Sequence, residues 1–238
     1  MIKFFRKIRQ NLLSEGKTGA YLKYALGEIV LVVIGILIAL QISNWNEDKK
    51  EQVFEREILE QIRANLIKER LTLTRIQGNF EKAMAATEKI LTASWTQQDQ
   101  DSAQYWLGAV VMFDRFQPLT NAYEVAKSKG LDLITNKQLR FQIGAYYDDE
   151  LIAVRQSIED IERAFRRDWV HILKQEALEV NFKQSIVLKD VTVLQGDAEP
   201  ANILRLNRGN FSGGHQRILR IIERIDEIIN LINQELKK

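Results

Sequence analysis

The chain has 238 residues, 45% of them apolar, with 34 Lys and Arg against 32 Asp and Glu, two prolines and no cysteine. That length suits one domain of ordinary size beside a membrane anchor and leaves no room for a second large one. The net charge of +2 is unevenly spread: six basic residues and the acids Glu15 and Glu28 lie within or before the apolar run, and the rest carries 28 basic against 30 acidic residues. So balanced a domain argues against a nucleic-acid partner, and the lack of cysteine suits an oxidising exterior.

Residues 1–20 read as a basic, amphipathic cytoplasmic segment. Phe5, Ile8 and Leu12 recur at helical spacing among cationic residues, a pattern that either lies flat on an anionic leaflet or only sets topology. Residues 21–45 read as a transmembrane helix. The uninterrupted apolar run, Ile29 to Leu40, is shorter than the roughly 18 to 20 residues that cross a bilayer. Its flanks complete it, with Tyr21, Tyr24 and Trp45 placed for the two headgroup regions and Lys23 able to snorkel outward. The end of the run, Ile38-Ala39-Leu40-Gln41, offers no small-residue pair for cleavage, so the anchor is expected to be retained. Lys3, Arg6, Lys7, Arg9, Lys17 and Lys23 precede the span, whereas Glu47 to Glu51 is balanced, which places the N-terminus in the cytoplasm and the bulk of the chain outside it.

Glu28 shares a helical stripe with Val32, Gly35 and Ala39, and the last two form a small-xxx-small pair that lets another helix approach. The stripe reads as a membrane helix-helix face with a paired carboxylate. The alternatives are an interfacial Glu28 neutralised by Lys23 or headgroups, and a group titrating in an ion pathway.

Residues 46–238 read as an extramembrane helical domain. Ile58, Ile62, Leu66, Leu73, Ile76, Phe80, Ala83 or Met84, Ile90 and Leu91 recur at three or four residues, broken by Glu69, as the seam of a long bundle or coiled-coil helix. Ser94 to Ser102 reads as a polar loop, and a second helix with Tyr105, Trp106, Val110 and Phe113 is expected to end before Pro118. A short helix over Leu119 to Lys129 stops at Gly130, and Leu131 to Thr135 is a connector. A longer helix is predicted from the N-cap Asn136 to Glu179. The alternation between Asn181 and Gly196 predicts a small β-hairpin. Pro200 opens a further helix, and the three glycines within Asn207 to Gly214 predict a break before the last one. That last helix carries Ile218, Ile222, Ile225, Ile229, Ile232 and Leu236 as a seam, with Ile221 and Ile228 beside them, which either closes a bundle against residues 54–91 or pairs with a copy in a homo-oligomer. The expected fold class is all-α: an N-terminal transmembrane helix followed by an extramembrane bundle of long, coiled-coil-like helices with one small hairpin.

The block Phe4-Phe5-Arg6-Lys7-Ile8-Arg9-Gln10-Asn11-Leu12-Leu13, continuing through Tyr21-Leu22-Lys23-Tyr24-Ala25, Gly27-Glu28-Ile29 and Gln41 to Glu47, resembles an uncharacterised family of single-pass membrane proteins common in Bacteroidota. A second segment, Ala122-Tyr123-Glu124, Gly130 to Ile134, Asn136 to Arg140 and Tyr146-Tyr147, is similar to a helical motif that follows the anchor in such proteins. The resemblance implies a Gram-negative inner membrane and a periplasmic domain, and carries no assigned activity.

Chemistry is sparse. His171 and His215 are far apart and without cysteines, so no metal site is expected, and Asp148, Asp149 and Glu150 lack calcium-loop spacing. No nucleophile elbow or phosphate loop is present, so neither a catalytic centre nor a cofactor is expected. Arg205, Arg208, Asn210, Ser212, Gly213, Gly214, His215 and Arg217 form a candidate anion patch if backbone N–H groups open the last helix there; the alternative is a solvated hinge. The expected function is a membrane-anchored interaction or scaffold module, with the bilayer and a membrane or periplasmic protein as partners. The alternative is an accessory subunit of an ion-driven envelope machine in which Glu28 titrates.

Overall fold

The computed structural model describes residues 18–238, and these divide into two units between Phe54 and Glu55. The basic segment with Phe5, Ile8 and Leu12 lies outside the described residues, as do the side chains of Tyr21 and Tyr24. Helix α1, Thr18–Thr92, belongs to both units.

In the first unit, α1 is long and apolar enough to cross a membrane, with a stretch of mean hydropathy 2.6. From Leu26 to Trp45 its large apolar side chains are all exposed, Leu31 by 70%. Surface of this kind has no stable place in water, and lipid or another apolar helix must cover it. At the end of the run the Lys49 ammonium sits 3.9 Å from the centroid of the Trp45 ring, an amphipathic pair suited to a headgroup region.

In the second unit, the remainder of α1 is followed by α2 (Gln97–Val110), α3 (Asn121–Lys129), α4 (Lys137–Ala145), α5 (Leu151–Ala164), α6 (Val170–Glu176), β1 (Ala177–Asn181), β2 (Ser185–Leu188) and α7 (Glu199–Glu235). α4, α5 and α6 form one helical path with π-helical turns at Tyr146–Glu150 and Phe165–Trp169. α7 packs antiparallel to α1, as the pairs Arg63–Asn233, Arg70–Asp226, Glu81–His215 and Glu88–Arg208 show. Ile62, Leu66, Leu73, Ile76 and Phe80 of α1 are fully buried with Ile218, Ile221, Ile225, Ile228 and Ile232 of α7 and Leu139, Ile143, Val154 and Ile158 of the intervening path. The predicted seam of residues 54–91 is thus the core face, with Ala83 and Ile90 buried rather than Met84 and Leu91.

Several local expectations are corrected. Only residues 93–96 form a loop before α2, because Thr96 and Asp99 make a reciprocal capping box that starts a helix among the polar residues. α2 stops at Val110, short of Phe113, because residues 111–120 are held by side chains of α1 rather than by a helical ladder. The helix capped by Asn136, whose side chain accepts from the Leu139 N–H, ends at Glu176, and Ala177 to Asn181 become the first strand of the hairpin. That hairpin turns at Lys183 (φ +65), pairs Val180 with Ile186, and leaves Val191–Leu194 as a 3-10 turn capped by Asp190. On the last helix Ile222 and Ile229 are only half-buried, so the core stripe runs through Ile221 and Ile228 instead.

The break expected over Asn207 to Gly214 is absent, and α7 runs unbroken from Glu199. The glycines there serve packing, not a turn. A Cβ at Gly214 would lie 2.8 Å from Cε2 of the buried Phe80, whose ring meets Phe211 edge-on at 5.3 Å, whereas a Cβ at Gly213 meets nothing within 4 Å. Gly108 likewise admits the Gln184 carbonyl, 2.3 Å from where its Cβ would be, and so seats the hairpin on α2. Gly214→Ala is therefore expected to cost about 1–3 kcal/mol by overpacking. Gly213→Ala should instead stabilise by about 0.5–1 kcal/mol through helix propensity. Urea denaturation of the full chain in detergent compares them, and equal effects at the two positions would refute the packing assignment.

Candidate functional site

The second unit is organised by polar side chains that α1 turns toward the irregular stretches on either side of α3, residues 111–120 and 130–136. Glu69 interrupts the apolar seam, is only 2% exposed, and accepts from the Leu119 N–H (2.5 Å) and the Tyr146 hydroxyl (2.6 Å). One turn earlier, Asn65 donates to the Leu119 carbonyl and to Asn121 Oδ1. Near the start of the unit, Glu55 accepts from the Thr135 N–H (2.8 Å) and hydroxyl (3.0 Å). Asp114, with a side chain 2% exposed, accepts from Arg75, Asn79 and Lys183, which joins α1, the irregular segment and the hairpin turn. Arg115 beside it pairs with Glu162 of α5, whose carboxyl Arg115 and Arg166 hold down to about 2.

Around Glu69 lies an aromatic cluster built by the π-helical turn after α4. The turn carries two consecutive buried residues, Tyr146 and Tyr147, that face different neighbours. Tyr147 stacks on Tyr123 of α3 at 4.6 Å and meets Tyr146 edge-on at 4.8 Å. The Tyr123 hydroxyl donates to Asp148, which also binds the Lys127 ammonium at 2.8 Å. The Tyr147 hydroxyl is buried without a partner.

The two buried acids respond oppositely to their surroundings. Burial raises the Glu69 carboxyl, and its two hydrogen bonds, from neutral donors, only partly offset this. Burial also acts on Asp114, but the bonds from Asn79, Lys183 and Arg75 outweigh it and hold that carboxyl below the ordinary range. Burial, then the Glu69 charge, pushes the Tyr146 hydroxyl upward and keeps it a donor. The chemistry this arrangement supports is a latch. Ionised or hydrogen-bonding groups of one helix fix the backbone of a segment that has no secondary structure of its own.

The residues expected from sequence are dispersed. Glu28, Val32, Gly35 and Ala39 lie on α1 in the first unit, Glu28 half-buried, with nothing within 4 Å of a Cβ at Gly35. Arg205 donates to the Gly196 carbonyl and to Asn202, and Arg208 pairs with Glu88. Ser212 and Gly213 lie mid-helix, and Gly214 faces the core. Because α7 continues through them, their backbone N–H groups enter the helical ladder and no helix start is formed for an anion. Arg217 lines a separate groove of about 450 Å³ with Arg220, Arg224 and Glu150. Asp148 and Glu150 bond to Tyr123 with Lys127 and to Arg224, on different neighbours. Among the described residues no group of three or more His, Asp or Glu side chains is placed to hold a metal ion. From the sequence Glu69 is visible only as a break in the seam, and Glu55 and Asp114 carry no signal. The signal for Glu69 was present, as an acid where the seam calls for an apolar side chain.

A model of a family described as a family of unknown function, DUF6090, matches residues 28–149, half of the chain, and the chain belongs to this family. No curated protein and no solved structure matches. The matched stretch contains Glu55, Glu69, Asp114, Tyr123, Tyr146 and Tyr147, though not Lys183, which completes the Asp114 cluster, and it stops short of α5 to α7.

The pH dependence of stability separates the two acids. Glu69 has a raised folded value, so its contribution is full below the ordinary glutamate value of about 4.3 and is lost as pH rises through the folded one. Asp114 has a lowered one, so its contribution is present above about 3.9 and is lost as pH falls through the folded value. Glu69→Gln is expected to flatten the loss of stability on the alkaline side. Asp114→Asn should cost about 1–2 kcal/mol at neutral pH, a figure reduced because Arg75 and Lys183 are partly in water, and should approach wild type in acid. Chemical denaturation followed by circular dichroism across this range checks both. A Glu69→Gln profile parallel to wild type would remove the carboxylate from the latch.

Proposed function

We propose that this member of the DUF6090 family is a single-pass, membrane-anchored interaction module: α1 spans an inner membrane with its N-terminus in the cytoplasm, and the helical unit beyond it binds an envelope protein. The observation that carries the reading is the exposed apolar run from Leu26 to Trp45, which the described residues of the chain leave uncovered and which continues as the same helix into the latch. The basic residues before the span and the balanced segment after it support the orientation. Resemblance to single-pass proteins of Bacteroidota supports a periplasmic setting for the second unit. The partner reading draws on large apolar side chains left in water there, foremost Phe141 at 77% exposure.

Because the chain contains no cysteine, single cysteines report its topology directly. Asp101→Cys should react with an impermeant maleimide in cells whose outer membrane alone is permeabilised, and Lys7→Cys only after lysis. The opposite pattern would overturn the orientation. A photo-crosslinker at Phe141 should give a discrete heterologous adduct in native membranes, whereas self-adducts alone would favour a homo-oligomeric scaffold. The ion-driven-machine reading rests on Glu28 standing at the edge of the apolar run, on the stripe with Gly35 and Ala39. It requires a multi-span partner crosslinked through that stripe and lost in Glu28→Ala.

A further inference from the structure

The hairpin is two strands wide, and among the described residues β1 pairs with β2 alone. The other edge of β1 therefore presents backbone N–H and C=O groups that no strand meets, and sheets recruit further strands through such edges. The side chains mark the same edge as incomplete. Val180 lies opposite Ile186 and so on the same face of the sheet, yet Ile186 is 1% exposed and Val180 46%. Leu178 and Phe182 beside it are also exposed, so three large apolar side chains stand in water within residues 178–182.

This edge is held in place from its turn. The Phe182 ring meets those of Phe113 and Phe165 at 5.2 and 5.7 Å, and Lys183 binds the buried Asp114 at 2.7 Å. The regular register covers only Glu179, Val180 and Asn181, bounded by the irregularity between Ala177 and Glu179 and by the turn at Lys183.

That short run is complementary to itself. Two copies offering the same edge in antiparallel sense must place some residue opposite itself. With Glu179 there, two like charges meet. With Asn181 there, Leu178 falls opposite Gln184, beyond the turn. With Val180 there, the whole regular run is paired, Leu178 lies beside Phe182, and Glu179 faces Asn181 of the other copy. Within one chain the Asn181 amide already donates to Glu179 at 2.8 Å, so the two groups suit each other.

We propose that a second copy of the chain covers this edge, β1 pairing antiparallel with its counterpart about a two-fold axis at Val180, so that two hairpins join into one four-stranded sheet. The interface is short and rests on the anchoring reading, because chains confined to one membrane meet at a raised effective concentration.

The chain has no cysteine, so single cysteines in the full protein report the register in native membranes under mild oxidation. Val180→Cys should give a disulfide-linked dimer. Glu179→Cys and Asn181→Cys should each stay monomeric alone and link when the two chains are co-expressed, since only then do cysteines stand opposite each other. Val180→Lys added to that pair should abolish the link by setting like charges face to face, without lowering the melting temperature. A monomeric Val180→Cys, equal dimer from all three single cysteines, or a mixed link that survives Val180→Lys would each overturn the proposal. Monomeric Val180→Cys alongside the expected labelling of Asp101→Cys and Lys7→Cys would refute the pairing and leave the anchoring reading standing.

Discussion

An irregular segment packed against a helix must have its peptide groups satisfied from outside, and the second unit solves this with side chains from α1. Residues 111–120 and 130–136 have no continuous ladder, so Leu119 and Thr135 would leave N–H groups unmet at costs of about 1–3 kcal/mol each. Glu69 and Glu55 meet them while Asn65 donates to the Leu119 carbonyl, and all three lie on a helix whose other inward positions, Thr87 apart, are apolar. The polar positions of α1 thus decide where the segment lies, while the apolar ones decide what covers it. Asn136 extends the same logic to the far side by capping α4 and donating to Glu235 at the end of α7.

The contrast between Glu69 and Asp114 follows from what surrounds each. Asp114 receives charge from Arg75 and Lys183, side chains that remain partly in water and bring their charges inward at modest desolvation cost. Glu69 is met by an amide and a phenol, which can orient toward a carboxylate but cannot neutralise it. A latch closed by neutral donors is weaker and more responsive to protonation than one closed by cations. The unit contains one of each, gripping the same stretch of backbone a few residues apart.

Helix periodicity exposed the long elements because their apolar positions repeat: the α1 seam, the N-cap at Asn136 and the stop at Gly130 were all legible. What misled were residues whose usual meaning is local. Three glycines in eight residues ordinarily end a helix, yet Gly214 is there because Phe80 of a distant element occupies the space of its Cβ. Gln97 to Ser102 have the composition of a loop, but a capping pair outweighs composition. The latch was half legible. Glu69 stood out as a seam violation, but its partners, Leu119 and Tyr146, are 50 and 77 residues away and no spacing rule connects them.

The π-helical turn at Tyr146–Glu150 explains how one element serves several neighbours. Within it two adjacent buried side chains serve different neighbours, Tyr146 bonding Glu69 and Tyr147 stacking on Tyr123. From the same turn Asp148 reaches Tyr123 and Lys127 while Glu150 reaches Arg224 of α7. The turn is therefore where the latch meets the helix that closes the core. Removing the inserted residue would rotate every later side chain of the path about the helix axis, and with them the face that α5 turns to α7.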